Sequence, residues 1–127
     1  MREIKFRVWD KETKNICEVR NIDFISEMVQ IKYQANYGVR ELENVILMQF
    51  TGLQDKNGVD IYEGDILIYQ HMFVDKKSVS EVIWNEKYSG FASYVEDDER
   101  RYILEKELKN QFEVIGNIYE NPELMEV

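Results

Sequence analysis

The sequence has little of what usually betrays an active site or an extracellular scaffold. It contains one cysteine, Cys17, one proline, Pro122, and one histidine, His71. A single cysteine excludes an intramolecular disulfide and any repeated Cys/His zinc pattern, and it fits a reducing compartment. With one histidine and no nucleophile partnered to it in sequence, a histidine-based catalytic constellation has no support; His71, in "YQHMF", reads as a surface or strand-end residue. No Gly-rich phosphate loop is present, because "GVDIYEGD" lacks both the lysine and the glycine spacing. No Ser/Gly linker, repeat or low-complexity tract divides the chain, and no apolar run approaches the ~20 residues that span a bilayer. "MREIKFRVWD" carries charge from its second residue. The expectation is a soluble, cytoplasmic protein of one domain, residues 1–127.

What is present is enough for a core. Hydrophobic residues make up 44% of the 127 and aromatic residues 13%, too much for a chain that cannot offset its conformational entropy. The net charge of -9 is unevenly placed: residues 1–50 hold eight basic and eight acidic side chains, residues 51–127 eight and seventeen. A duplex binder draws most of its affinity from a basic surface, so nucleic acid is disfavoured as a partner.

Alternation dominates the pattern. "IKFRVW" sets Ile4, Phe6 and Val8 against Lys5, Arg7 and Trp9, the period of a half-buried strand. "DKETKN" (10–15) reads as a turn before a strand at 16–20. Residues 22–34 fit a helix face through Phe24, Met28 and Ile31, or a strand through Val29, Ile31 and Tyr33. β-branched and aromatic enrichment favours a strand for 28–34. "QANYG" suggests a turn using Gly38 at positive φ, and 45–50 a buried strand. Residues 66–69, 78–84, 90–95 and 112–119 all read as strands, whereas "EDDERRYILEKELKN" (96–110) is the one helix candidate, with Glu105 and Lys109 in the favourable i, i+4 order. Short strands at close spacing point to a mainly β small barrel or sandwich.

The oxygen-rich stretch "TGLQDKNGVDIYEGDIL" (51–67) carries Asp55, Asn57, Asp60, Glu63 and Asp65. As a calcium loop it fails: counted from Asp55, position 5 is Val59, position 6 is Asp60 and position 12 is Ile66. Turn chemistry explains it better. Asn57-Gly58 marks a tight hairpin, Gly64 suits a backbone conformation closed to other residues, and Asp65 can bond nearby amides, so two turns bracket the short strand "VDIY". The competing reading is a carboxylate cluster of Asp60, Glu63 and Asp65 around magnesium or manganese in a hydrolase or nuclease. Cys17, between Ile16 and Val19, reads as a small buried hydrophobe, and "EDDE" (96–99) as a solvated loop or an acidic docking surface. Trp9, Tyr69, Trp84, Phe91, Tyr94 and Tyr119 fall on or beside strands. Core packing is the default for most of them, and Tyr69, Trp84, Phe91 and Tyr94 are the candidates for an interaction surface. Trp84 leads, since Ile83 and Trp84 must face opposite ways.

Four stretches in this order, "IKFRVWDKETK", "VILMQFTGLQDKNGVDIYEGDIL", "VIWNEKYSGF" and "EVIGNIYENPEL", resemble the phage and prophage YopX family across nearly the whole chain. Segments 20–44 and 96–110 carry little of the likeness. The resemblance implies a β-rich protein with an SH3-like barrel in 51–127, beginning with "EGDILIY" and ending with "FEVIGNIY", and an added β layer in 1–50. It implies no established activity, cofactor or catalytic residue. The expected function is therefore a non-enzymatic phage or prophage accessory protein that binds another protein or itself, without cofactor or metal.

Overall fold

The computed structural model describes residues 2–70, 75, 77–86, 89–95, 98–103 and 111–126, and for 93–95 and 98–103 the backbone alone. Among the described residues the strands form two antiparallel sheets, with short 3₁₀ turns between and after them. The chain divides into two compact units, Met1–Phe50 and Thr51–Val127.

In the first unit, β1 (Phe6–Asp10), β2 (Asn15–Asp23), β3 (Met28–Tyr33) and β4 (Asn36–Glu41) form a meander, and β5 (Val45–Gln54) pairs back onto β1. The sheet order is β4-β3-β2-β1-β5. Alternating apolar residues put Val8, Cys17, Val29, Ile31 and Val45 into one buried cluster. Burying each large aliphatic side chain contributes about 1.5–3 kcal/mol. Within the ambiguous 22–34 segment, Met28–Tyr33 is strand, held on both sides by the Val29↔Ile22 and Val29↔Arg40 pairings. Two expectations are corrected. Ile4 precedes β1 and stays exposed instead of sharing the buried face of Val8. The chain reverses at residues 34–35 with Gln34 at φ 55, and Gly38 lies inside β4.

In the second unit, the far end of β5 takes on β6 (Asp60–Tyr62). β7 (Asp65–Gln70), β8 (Lys77–Asn85), β9 (Gly90–Val95), β10 (Asp98–Ile103) and β11 (Phe112–Asn117) form a second sheet in the order β10-β9-β8-β7-β11. The last strand returns to pair with β7, an arrangement compatible with the expected SH3-like barrel. Ile61, Leu67, Val82 and Phe112 make the core of this unit. Residues 98–103 form a strand against β9 rather than the expected helix, since a neighbouring edge satisfies every second backbone group at once, which outweighs a helix preference of a few tenths of a kcal/mol. The rest of the helix candidate, at 96–97 and 104–110, lies outside the described residues, as does His71. The acidic run 96–99 is described only as the backbone of Asp98 and Glu99.

Candidate functional site

Asp55 organises the oxygen-rich segment. Its side chain is fully buried. Oδ1 accepts the N–H of Asn57 at 2.8 Å and of Val59 at 2.9 Å, closing the 55–59 turn, while Oδ2 accepts the N–H of Val114 on β11 at 2.9 Å. The backbone ladder Asp55 N–H to Val59 C=O (2.9 Å) and Lys56 N–H to Phe112 C=O (3.1 Å) flanks these bonds. A carboxylate that takes three amides in a buried site is a backbone fastener.

The other oxygens are similarly engaged. Asp65 is buried, and its Oδ2 accepts the N–H of Tyr62 at 2.8 Å across the turn, where Gly64 sits at φ 84 and donates its N–H to Val82 C=O. Asp60 Oδ1 accepts from the Gln54 side-chain amide at 3.1 Å. Glu63 lies in the turn between β6 and β7, partly buried. Among the described residues no three His, Cys, Asp or Glu side chains are grouped to hold a metal ion, so Asp60, Glu63 and Asp65 do not make such a set.

The aromatic candidates separate. Tyr69 is in the core, its ring 5.0 Å from that of Phe112, which removes it from the proposed interaction surface: β7 is the strand flanked by β8 and β11, and the Tyr69 face is the covered one. Trp84 and Phe91 face each other across β8 and β9 with ring centroids 5.1 Å apart and planes at 76°, an edge-to-face pair. Trp84 remains 48% exposed. Tyr94 is placed on β9 opposite Glu81, with its side chain outside the described residues.

A further site in the first unit escapes sequence reasoning. Asp10, fully buried at the end of β1, accepts the Thr13 hydroxyl at 2.6 Å, the Glu12 N–H at 3.3 Å and the Arg40 Nε–H at 3.2 Å. Arg40 Nε also lies 3.0 Å from a Glu12 carboxylate oxygen, and Nη1 donates to Val39 C=O at 3.0 Å. Asp10, Thr13 and Arg40, together with Cys17, Tyr33 and Tyr37, line a cleft of about 220 Å³. Burial alone would raise the Asp10 pKa, but the bonds from Thr13, Arg40 and Glu12 outweigh it and hold the carboxyl below its ordinary 3.8. Burial, reinforced by the Asp10 charge, raises the Cys17 thiol above its ordinary 9.0, so the thiol stays protonated at neutral pH and is a poor nucleophile. The cleft thus presents aromatic walls and a guanidinium, and its carboxylate is already occupied by three donors. "DKET" contained a local signal for it, an aspartate three residues before a threonine; the partner Arg40, thirty residues away, had none.

The carboxy-terminal "GNIYENPEL" is likewise structural in its polar contacts. Asn117 Oδ1 accepts the N–H groups of Tyr119 (3.0 Å) and Glu120 (2.8 Å), and Asn121 Oδ1 accepts the N–H of Asn117 at 3.2 Å. Pro122 then opens a short 3₁₀ turn, Pro122–Met125.

Comparison with known proteins agrees with this architecture. The crystal structure of protein EF1440 from Enterococcus faecalis is similar with a TM-score of 0.70 and 28% identity, over 99% of this chain and 100% of that one. The X-ray structure of protein yopX from Bacillus subtilis is similar with a TM-score of 0.68 and 21% identity, over 100% of this chain and 98% of that one, a likeness of fold. No curated protein is significantly similar. The family model described as "YopX protein" matches residues 5–126, and the chain belongs to that family.

Proposed function

We propose that this chain is a phage- or prophage-encoded, non-enzymatic module that works in the bacterial cytoplasm by binding another protein. The observation that carries the reading is Trp84, 48% exposed while its ring is fixed edge-on against Phe91. A rigid, half-exposed tryptophan on a sheet offers a large contact area with little side-chain entropy left to lose, and tryptophan is among the residues most often found at the energetic centre of interfaces. Two further observations support it. The buried carboxylates Asp10, Asp55 and Asp65 spend their lone pairs on backbone or side-chain donors, and Cys17 is buried with its pKa raised, so none of these groups is poised for acid-base or nucleophilic work. The excess negative charge after Thr51 favours a basic protein partner over nucleic acid.

The test is a capture experiment from lysate of a bacterial host with the full chain and with Trp84→Ala, identifying bound proteins by mass spectrometry. The reading expects a partner retained by the native chain and lost, or weakened at least ~10-fold, by the variant, as for an interface hot spot. Capture that is indifferent to Trp84, or no capture at all, overturns it.

A further inference from the structure

We propose that the chain self-associates through the open edge of β4, two copies pairing antiparallel about a two-fold axis at Val39 so that their first-unit sheets become one. This surface is distinct from the Trp84 face, and the proposal does not rest on that reading.

Four sheet edges are present among the described residues: β4, β6, β10 and β11. Soluble proteins guard such edges with short strands, bulges, proline or charge. β6 is three residues long, and the β10 and β11 pairings each contain a register shift, at Asp98/Arg101 and Val114/Gly116. β4 is not short, bulged or interrupted by proline, and its charge is confined to one end, at Arg40 and Glu41. It is six residues long, pairs with β3 in unbroken register from Met28↔Glu41 to Tyr33↔Asn36, and contains no proline or lysine. Its one basic side chain, Arg40, is tied to Asp10 and Glu12.

The register fixes which backbone groups are open. Leu42 N–H bonds Glu27 C=O at 2.9 Å, one step beyond the Met28↔Glu41 pair. Bonded and non-bonded pairs alternate in an antiparallel ladder, so Asn36, Gly38 and Arg40 turn their N–H and C=O toward β3. Those of Tyr37, Val39 and Glu41 point outward, and the Val39 C=O, which already accepts Arg40 Nη1 at 3.0 Å, keeps its second lone pair for a partner strand. On the same residues the side chains are exposed, Tyr37 by 61% and Val39 by 57%.

Only some self-pairings suit this edge. An axis at Arg40 would set the two guanidinium-bearing residues directly opposite each other. An axis at Val39 makes every outward group a bonded partner: Val39 with Val39 of the second copy, and Tyr37 with Glu41 of the second copy, twice. Valine against valine is a favourable cross-strand contact. The Lys32 ammonium already lies 5.6 Å over the Tyr37 ring, so the incoming Glu41 carboxylate joins a row with a cation at its far side. On the opposite face Arg40 of one copy meets Gly38 of the other, which brings no side chain of its own but is overlain by that copy's Arg40, whose Nη1 lies 3.1 Å from where a Cβ would stand. The first fifty residues hold equal numbers of acidic and basic groups, so two such edges meet without the repulsion that the acidic remainder of the chain would impose.

The experiment uses the full chain and measures mass by light scattering and analytical ultracentrifugation from micromolar to submillimolar concentration. The native chain is expected to shift from 15.3 kDa toward twice that mass as concentration rises. Val39→Pro removes one outward N–H and no bond to β3, so it should remain folded by circular dichroism and stay at monomer mass; Val39→Lys should do the same. Val39→Cys should form a disulfide-linked dimer under mild oxidation, whereas Ile25→Cys, fully exposed at the β2–β3 turn, should form none at the same concentration. A native chain that is monomeric throughout, or a dimer unchanged by both Val39→Pro and Val39→Lys, overturns the proposal. Trp84→Ala should leave the dimer intact, which separates this edge from the protein-binding face.

Discussion

The Oδ2 atom of Asp55 accepts the N–H of Val114, fifty-nine residues further along the chain, at 2.9 Å. That bond joins the turn between β5 and β6 to β11, and the same carboxylate holds the turn itself through the amides of Asn57 and Val59. Asp55→Ala would leave three amides in a buried site without this acceptor, at about 1–3 kcal/mol each. The expected loss of stability is therefore at least ~3 kcal/mol, enough to move the urea midpoint far below that of the native chain. Asp55→Asn should lose less, because one oxygen remains to accept while the amide nitrogen faces a donor. Equal midpoints for the native chain and the alanine variant would refute the fastening role.

Gly116 makes a prediction of a different kind. A Cβ built there would lie 2.5 Å from Asn121 Oδ1 and 3.0 Å from Asn121 Cβ. The asparagine cannot simply swing away, because the same Oδ1 accepts the N–H of Asn117. Gly116→Ala is expected to cost about 1–3 kcal/mol through loss of this bond and local displacement. Thermal melts of Gly116→Ala, Asn121→Ala and the double variant test it: the two effects should be strongly non-additive, since either change removes the same contact.

Much of this fold was legible because the half-buried strands write their period of two into the chain, and Gly64 and Asp65 mark their own turn. Where the sequence misled, a distant partner decided. Residues 98–103 carry charges that suit an exposed helix, yet β9 supplies a ladder that no local preference records. Gly38 suggested a turn by residue type, but the two-residue reversal at 34–35 places it two positions into β4, leaving Gln34 to take the positive φ. Asp55 was visible as a turn residue and invisible as a link to Val114, because nothing in residues 51–67 encodes where β11 will lie. The Asp10–Arg40 pair was hidden for the same reason.

The cysteine offers a direct probe of the first unit. Cys17 is buried in the cluster formed by Val8, Val29, Ile31 and Val45, and its thiol is raised above 9.0 by burial and by the Asp10 charge. Reaction with a water-soluble disulfide reagent at mildly alkaline pH should be at least ~100-fold slower in the native chain than in denaturant, since it requires local opening and a disfavoured thiolate. Rapid stoichiometric labelling would mean that the floor of the cleft opens readily to solvent.

Asp10 gives the acid dependence its sign. Its folded pKa lies below the unfolded 3.8, despite the burial that opposes this, because the Thr13 hydroxyl, Arg40 and the Glu12 N–H bind the charged form better. A depressed carboxylate pKa contributes stability that is whole above the unfolded value and is lost as pH falls through the folded one. Asp23, held below 3.8 by the N–H groups of Ser26 and Ile25, acts in the same direction. The stability difference between the native chain and Asp10→Asn should therefore be constant from neutral pH down to about pH 5 and shrink as the pH drops below 3.8 toward the folded pKa. Arg40→Met should reproduce part of this change, since it removes one of the three donors and leaves Thr13 and the Glu12 amide in place. Urea titrations at a series of pH values give the measurement. A difference that grows on acidification would require Asp10 to be protonated in the folded chain, and would break the link between the carboxylate, the arginine and the shape of the cleft.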